Sequence, residues 1–323
     1  MEKLRKKPVI AFVALFAALY VIIYVIPRVT GALRFSYIAE YGGLEISDNE
    51  DSYFIRNEKV YFSGISGTEN RYIDEGKLIR RGTRVLNVEK GEERSPDREY
   101  AEIRDNIGKA GISTSTFASD SEGIVTYSAD GYEAVFSPEK IEKKKLVDFK
   151  KLDNDLSVQL KRGTVSTGDP VFKIVDRSGW YIVTYIPRNH KDRYSLSKKY
   201  PIVIDEKYDI KATLKSISDE GNKLKLVFES DYYFKTFTTL RTAKVKIITS
   251  EANGLIIYNT SITKKNGRKG VFVKQGNGKY RFTPIQIITG DDEKSIITKS
   301  IFYDEKGNVH NTVKNYDEIL KKA

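Results

Sequence analysis

The longest apolar stretch of the chain lies near its N-terminus, between Lys7 and Arg28. It contains twenty uncharged residues, PVIAFVALFAALYVIIYVIP. As a helix, such a run is about 30 Å long, which matches the apolar core of a bilayer. The pattern therefore predicts a transmembrane helix over residues 8–27. A cleaved signal peptide is the alternative, because residues 30–32 are small enough for a cleavage site.

The charges around this run predict its orientation. Arg28 follows the run, whereas four basic residues precede it: Lys3, Arg5, Lys6 and Lys7. Positively charged flanks are retained in the cytoplasm. We therefore expect residues 1–7 to be a cytoplasmic tail and the protein to be a single-pass protein of the cell membrane, with most of the chain extracytoplasmic.

Beyond Arg28 the chain is dominated by short alternating runs that end in Gly, Asn or Asp, which is typical of β-rich domains. In residues 241–249 the apolar Ala243, Val245 and Ile247 alternate with polar residues at 242, 244 and 246. Residues 223–228 alternate in the same way after an Asp-Glu-Gly-Asn turn. Both segments are predicted to be half-buried antiparallel strands.

Two helices are predicted between the strands. Ser95-Pro96 followed by Glu99 favours a capped helix that ends at Gly108 and buries one face; that face carries Tyr100, Ile103 and Ile107. Ser137-Pro138-Glu139 predicts the start of a second helix, whose lysines 143–145 form a solvated face. Its apolar residues recur at helical spacing: Ile141, Leu146, Phe149, Leu152 and Leu156.

A weak internal repeat joins residues 67–88 to residues 123–174. Each copy has the same order of glycines and apolar pairs, and the glycines are Gly67, Gly76, Gly82, Gly123, Gly131 and Gly168. One hairpin cannot bury its apolar face alone, so the two copies are expected to interlock into a flattened barrel. We expect the glycines to supply positive φ angles at the turns.

The two copies resemble the split lipoyl- or biotinyl-like domain of periplasmic adaptor proteins, the membrane fusion proteins of the HlyD type. The remaining order is also similar to that family, with an anchor before the copies, a β-barrel stretch from about Trp180 and a last unit from about Glu251. The resemblance implies a mainly β fold with an N-terminal transmembrane helix. The implied segments are 28–66, an outward segment that contributes early strands; 67–176, a lipoyl-like domain with short helical insertions; 177–249, a β-barrel domain; and 250–323, a membrane-proximal β domain.

The same resemblance implies a function. It implies that several copies pack side by side around a membrane transporter, ABC or proton-driven, in efflux or secretion. From the residues themselves we expect no enzyme and no cofactor, because the chain has no lipoyl-lysine motif and no Gly-x-Ser-x-Gly, Walker or dinucleotide-binding motif. The insertion at residues 90–119 is short, which is similar to the short-hairpin adaptors of bacteria with a single membrane. An envelope scaffold in cell division or cell-wall assembly, with division proteins as partners, is the alternative.

Composition restricts the chemistry further. The chain has no cysteine, which excludes a disulfide scaffold, a thiolate metal site and a cysteine nucleophile. Of its two histidines, we expect His190 to lie in a surface turn and His310 to stand alone. The carboxylates at residues 48–51 and 291–293 are predicted to be solvated turns rather than calcium or acid–base sites. The net charge of +11 is partly N-terminal, and no nucleic-acid partner is expected.

Aromatic residues provide the last candidates. Trp180, the single tryptophan, opens an apolar strand and is predicted to pack in a core or between domains. A cluster between two predicted strands is compatible either with a core or with a surface that contacts a partner. Its members are Tyr232, Tyr233, Phe234 and Phe237.

Overall fold

A computed structural model describes residues 6–25, 35–152, 157–234, 236–304 and 307–322. The chain forms two compact units, one from Met1–Ile46 with Ser250–Ala323 and one from Ser47–Thr249. Most of the predicted cytoplasmic tail, the last two positions of the predicted membrane helix and Leu156 lie outside the described residues.

The described part of the N-terminal apolar run, residues 8–25, is helical. Helix α1 spans Lys6–Tyr20, and a π-helical turn at Val21–Val25 continues it. Its described large side chains are exposed, as Phe12 (66%) and Phe16 (69%) illustrate. Of the helices in the described ranges, none combines the length and the hydropathy that a membrane crossing requires.

The rest of the described chain is mainly β. Strands of the first half are β1 (Ser36–Ile38), β2 (Glu40–Ile55), β3 (Glu58–Ser63), β4 (Gly67–Arg71), β5 (Leu78–Ile79), β6 (Leu86–Lys90), β7 (Ile112–Thr114), β8 (Gly123–Thr126), β9 (Ser128–Ala129), β10 (Val158–Gln159), β11 (Thr164–Val165) and β12 (Pro170–Val175). Strands of the second half are β13 (Trp180–Pro187), β14 (Lys199–Ile204), β15 (Tyr208–Glu220), β16 (Lys223–Ser230), β17 (Thr242–Tyr258), β18 (Thr263–Lys265), β19 (Arg268–Lys274), β20 (Tyr280–Pro284), β21 (Ile287–Gly290), β22 (Lys294–Ile297), β23 (Ile301–Tyr303), β24 (Val309–Asn311) and β25 (Glu318–Leu320).

Six strands close into a barrel in the unit of residues 47–249. Their order is β14-β15-β16-β13-β2-β17, and β17 pairs back onto β14 through Ile247 and Ile202. The alternating positions predicted for β16 and β17 point into this barrel, where Leu226, Phe228 and Val245 are buried. Closure pairs both edges of the sheet, so the barrel has no free edge strand.

The two repeat copies form a lipoyl-like domain from β3 to β12, with sheets β11-β4-β6 and β5-β8-β12-β3-β7. The copies interlock as predicted: Gly67 of β4 pairs with Val165 of β11, and Leu78 of β5 pairs with Ile124 of β8. Strand β3 lies between β12 and β7, so the domain includes residues before the predicted start at 67.

The repeat glycines fall into two groups. Gly76, Gly82, Gly131 and Gly168 have φ angles from +78° to +87°. Gly67 and Gly123 do not form turns as expected; they begin β4 and β8. A Cβ at Gly67 would lie 1.9 Å from the Glu89 carbonyl oxygen, and one at Gly123 would lie 2.5 Å from that of Val175. These two positions need glycine because neighbouring strands approach closely.

The first predicted helix is correct apart from its start. A 3₁₀ turn at Arg98–Tyr100 leads into α2, Ala101–Ile107, and buries the predicted apolar face. Asp97, rather than Ser95, caps it, because its carboxylate accepts a hydrogen bond of 3.1 Å from the Glu99 N–H. Gly108, with φ +50°, follows the last turn.

The second predicted helix is wrong as a continuous element. A 3₁₀ turn spans Pro138–Lys143 and α3 spans Leu146–Phe149, with extended backbone at residues 144–145 between them. The apolar residues Ile141, Phe149 and Leu152 are nevertheless buried. They pack on the outer face of the barrel, against Val183 and Val227 among others.

In the unit of residues 1–46 and 250–323, strands β1-β25-β19-β18 form a sheet to which β20 adds beside β19. Its core includes Val271, Val273 and Ile319. The Gly276-Asn277-Gly278 segment forms the turn between β19 and β20, and residues 291–293 form the predicted turn between β21 and β22. The other 3₁₀ turns of the described chain are Gly108–Ala110, Arg188–Arg193 and Asn259–Ser261.

Candidate functional site: a buried ionic joint

Six charged side chains meet where the lipoyl-like domain joins the barrel. We call this cluster the ionic joint; it consists of Arg56, Glu58, Asp130, Glu133, Lys173 and Arg241. Arg56 directly follows barrel strand β2 and Arg241 directly precedes barrel strand β17, whereas the other four belong to the lipoyl-like domain. All six are at least nine-tenths buried. Three cations and three carboxylates give the cluster no net charge when all are ionised.

Glu58 is the centre of the ionic joint. Its Oε1 lies 3.3 Å from Arg56 Nε and 3.0 Å from Lys173 Nζ, and its Oε2 lies 2.5 Å from an Arg241 Nη. Burial opposes its ionisation, but the attraction of Arg241, Arg56 and Lys173 outweighs burial and lowers its pKa from 4.5 to about 2. Glu58 is therefore ionised at neutral pH.

Arg241 connects Glu58 to a second carboxylate. Its Nε donates to Asp130 Oδ2 at 2.5 Å and its Nη2 donates to Asp130 Oδ1 at 3.1 Å, a bidentate contact. Burial works against the charge of Asp130, but Arg241 and Lys173 overcome it and lower its pKa. The Arg241 carbonyl also accepts a hydrogen bond of 2.8 Å from the Phe54 N–H, which fixes the Arg241 backbone beside strand β2 of the barrel.

Glu133 is held differently. It lies 3.1 Å from Lys173 Nζ and accepts a hydrogen bond of 3.0 Å from the Asp130 N–H. Burial raises its pKa; Lys173 counteracts this, and the nearby Asp130 carboxylate adds to it. Asp130 and Glu133 thus differ, because Asp130 has a bidentate contact with Arg241, whereas Glu133 lies 3.1 Å from Lys173 and only 3.8 Å from Arg241.

The arrangement is suited to fixing an angle between two domains. Arg56 and Arg241 flank the adjacent barrel strands β2 and β17 and reach carboxylates of the lipoyl-like domain. Arg56 also donates to the Leu240 carbonyl. A buried ion pair that loses one partner costs about 3–5 kcal/mol. A change of the angle between the domains would separate several such pairs at once, so the joint should be stiff.

Sequence reasoning did not find the ionic joint. Its members are spread over residues 56–241, and most lie beside turns or strand ends, where charges are usually solvated. One signal was present: Lys173 interrupts the apolar run Val171–Val175, all of which is buried. A lysine inside a fully buried strand needs a carboxylate partner.

A second buried network corrects two predictions. Asp48 lies in β2 rather than in a solvated turn, and His190 is 8% exposed rather than a surface residue. Asp48 is 2.7 Å from His190 Nδ1 and accepts hydrogen bonds from Arg193 (2.9 Å) and from the Tyr194 hydroxyl (2.6 Å). These contacts attach the 3₁₀ turn Arg188–Arg193 to the barrel. His310 does not stand alone as expected: it lies in β24, and its Nε2 is 2.8 Å from an Asp304 carboxylate oxygen.

The aromatic candidates divide between core and surface. Trp180 is fully buried as predicted, with its ring stacked on Phe54 at 5.6 Å and its Nε1 donating to the Tyr232 carbonyl at 2.9 Å. Phe237 joins this core at 2% exposure, whereas the Tyr232 side chain is 52% exposed. Phe234 and Tyr233 are half-buried beside them.

Two family models match consecutive parts of the chain. Residues 58–176 match the RND-related barrel-sandwich hybrid domain, and residues 180–251 match the RND-related beta-barrel domain. Together the matches cover more than half of the chain. No curated protein sequence matches the chain significantly.

Solved structures with a similar fold include three named proteins. MacA from Actinobacillus actinomycetemcomitans is 10% identical, with 90% of this chain and 100% of that chain covered and a TM-score of 0.44. ZneB from Cupriavidus metallidurans is 9% identical, with 90% and 92% covered and a TM-score of 0.30. The membrane fusion protein Spr0693 from Streptococcus pneumoniae R6 is 9% identical, with 62% and 98% covered and a TM-score of 0.26.

Proposed function

We propose that this chain, which belongs to the membrane fusion protein family of periplasmic adaptors, is anchored in the cell membrane and assembles with a transporter in efflux or secretion. The observation that carries the proposal is the pair of family domains in adaptor order, a hybrid domain followed by a barrel. In this role several copies would surround the transporter, and the ionic joint would keep the hybrid domain at a constant angle to the barrel.

The N-terminal segment supports the anchor. Its twenty-residue apolar run carries no charge, and the large side chains described between Phe12 and Val25 are 40–69% exposed. A helix that is apolar all round and exposed requires an apolar environment. The basic residues before the run favour a cytoplasmic N-terminus and an extracytoplasmic β portion.

The insertion between the two repeat copies favours an adaptor without a long docking tip. It contains α2, which has seven residues and is therefore about 10 Å long. A scaffold in division or cell-wall assembly, which would use the same anchored fold without a transporter, is the competing function. The two functions differ in the partner that the chain contacts in the cell.

The absence of cysteine permits a site-specific test. A single Tyr303→Cys variant, whose position is 61% exposed, carries a maleimide photocrosslinker in living cells, and mass spectrometry identifies the captured proteins. The unsubstituted chain is the control, because it cannot react. A multi-span transporter captured in comparable amount supports the proposal. Division or wall-synthesis proteins without a transporter contradict it and favour the scaffold.

Orientation is tested with the same chemistry. A membrane-impermeant maleimide should label Tyr303→Cys in intact spheroplasts and should label Lys3→Cys only after lysis. The opposite pattern would refute the predicted orientation.

A further inference from the structure

One sheet of the unit of residues 1–46 and 250–323 carries apolar side chains on both of its faces. Tyr37, Val273 and Ile319 occupy paired positions of β1, β19 and β25 and face the core. Their neighbours Phe272 and Leu320 therefore lie on the opposite face. The solvated face of an antiparallel sheet normally carries polar residues, so this outer face is suited to contact with an apolar partner.

That outer face forms an open groove of about 940 Å³. Phe272, Tyr280, Leu320 and Phe35 line it, together with Lys321 and Lys322. Phe35 is 73% exposed, and the Lys321 N–H donates a hydrogen bond of 2.8 Å to the Phe35 carbonyl, which holds Phe35 beside β25. The groove thus combines aromatic and aliphatic walls with two exposed ammonium groups.

Exposed apolar side chains concentrate in this unit. Among the described residues beyond the N-terminal helix, it contains nine exposed large apolar side chains: Phe35, Ile38, Tyr41, Tyr258, Ile288, Ile301, Tyr303, Val309 and Tyr316. The much longer unit of residues 47–249 contains five: Tyr72, Leu78, Val147, Leu196 and Tyr232. Five of the nine are aromatic, and aromatic residues are enriched at membrane interfaces.

Chain connectivity and charge indicate a membrane surface as the partner. Phe35 is eight residues after Pro27, the end of the apolar run, so the groove begins within about 29 Å of that end even if the chain is fully extended. Residues 250–323 contain thirteen Lys and Arg against eight Asp and Glu, and residues 35–46 of the same unit add two carboxylates, so the excess of positive charge is modest. Two of the cations, Lys321 and Lys322, line the groove itself and are complementary to an anionic headgroup.

We propose that this groove binds an anionic phospholipid of the extracytoplasmic leaflet. The acyl region lies against Phe272 and Leu320, and the ammonium groups of Lys321 and Lys322 contact the phosphate. The proposal rests on the anchoring given in the proposed function. It adds a lipid contact that would hold the terminal β unit against the membrane.

The test places the photoreactive residue benzoylphenylalanine at Phe272 of the full chain, reconstituted in vesicles of equal amounts of phosphatidylcholine and phosphatidylglycerol. The matched control carries the same residue at Tyr232, an exposed aromatic position of the other unit. After illumination, mass spectrometry identifies the adducts. We expect lipid adducts at position 272 but not at 232. Phosphatidylglycerol should be enriched by about fivefold for each lysine that contacts it, and Lys321→Gln with Lys322→Gln should remove the enrichment.

Flotation of the same vesicles reports on the anchor separately. A chain that floats but gives no lipid adduct at position 272, or gives equal adducts at both positions, overturns the groove proposal and leaves the anchor intact. The same variant is also illuminated in cells. A protein adduct at position 272 there, in place of a lipid adduct, overturns the groove proposal in favour of a protein-docking surface. A chain that does not float contradicts the anchor of the proposed function, whatever its adducts.

Discussion

Replacement of Glu58 by Gln tests whether the ionic joint stabilises the fold. The substitution preserves the shape of the side chain but removes the charge that faces Arg56, Lys173 and Arg241. Three buried cations would then face two carboxylates. Such an uncompensated buried charge costs about 3–5 kcal/mol, a large part of the ~5–15 kcal/mol by which a domain is typically stable.

The pKa of Glu58 gives an independent value for the stabilisation that its charge contributes. Folding lowers this pKa from 4.5 to about 2, which corresponds to about 3 kcal/mol. Because the folded-state pKa is the lower one, this stabilisation is complete above about pH 4.5 and disappears as the pH falls toward about 2. The stability of the Glu58→Gln variant should therefore depend less on pH in that range than the stability of the unsubstituted protein.

The assay is equilibrium urea unfolding of the full chain in mild detergent, followed by the fluorescence of the single tryptophan, Trp180, which lies in the barrel core. Glu75→Gln is the matched control, since Glu75 pairs with Lys161 at 2.8 Å while both side chains remain more than a third exposed. An exposed pair contributes at most about 1 kcal/mol.

The reasoning is refuted if Glu58→Gln and Glu75→Gln lower the free energy of unfolding by the same amount. It is also refuted if the variant and the unsubstituted protein lose stability in parallel between about pH 4.5 and about pH 2. Either result would mean that the buried contacts of Glu58 contribute no more than a solvated pair.

Three further predictions follow from named contacts. Gly82→Ala should lower stability by about 1–2 kcal/mol, because its φ is +83°, a backbone conformation that strains alanine even though no atom lies close enough to clash with a Cβ. Gly163→Ala, equally free of neighbours but without a positive φ, should not lower stability; thermal unfolding compares the two variants. Phe149→Ala should lower the free energy of unfolding by about 3–5 kcal/mol. In limited trypsin digestion, the lysines beside it should become accessible to cleavage while the barrel remains folded. Lys173→Met alone should destabilise by about 3 kcal/mol, and adding Glu133→Leu should restore most of the loss because the joint regains neutrality; a double-mutant cycle that shows simple additivity would contradict this.

The fold was predictable from sequence where structure depends on local pattern. Strands β16 and β17 followed from alternation, since Leu226 and Val245 face the barrel interior whatever surrounds it. The prediction of a continuous second helix failed because the spacing of its apolar residues reflects their contacts with the barrel exterior rather than one face of a helix. Lys225 shows the same limit. It alternates with the apolar residues of the predicted half-buried strand, a pattern that favours an exposed side chain, but it is 1% exposed and donates to the carbonyls of Ile141 and Lys144 at 2.6 Å each.

The candidate site was not predictable, because burial of its charges arises only when distant segments meet. Glu58 and Arg241 are separated by more than 180 residues, and neither has an apolar residue directly on both sides. Their contact depends on the insertion of the lipoyl-like domain between barrel strands β2 and β13, which places β3 beside β12 and brings Lys173 to Glu58. Local patterns do not record such a topology.

Charged residues at this joint need an explanation beyond stability, because well-packed apolar residues can stabilise a buried contact equally well. Apolar contacts, however, are non-directional and tolerate sliding. The bidentate contact between Arg241 and Asp130 and the three contacts of Glu58 are satisfied in one arrangement of barrel and lipoyl-like domain. In the proposed assembly of several copies around a transporter, one fixed angle in every copy would matter more than additional stability. We therefore interpret the ionic joint as the feature that fixes the orientation of the lipoyl-like domain relative to the barrel. For that role, a few directional contacts are more useful than a larger apolar interface.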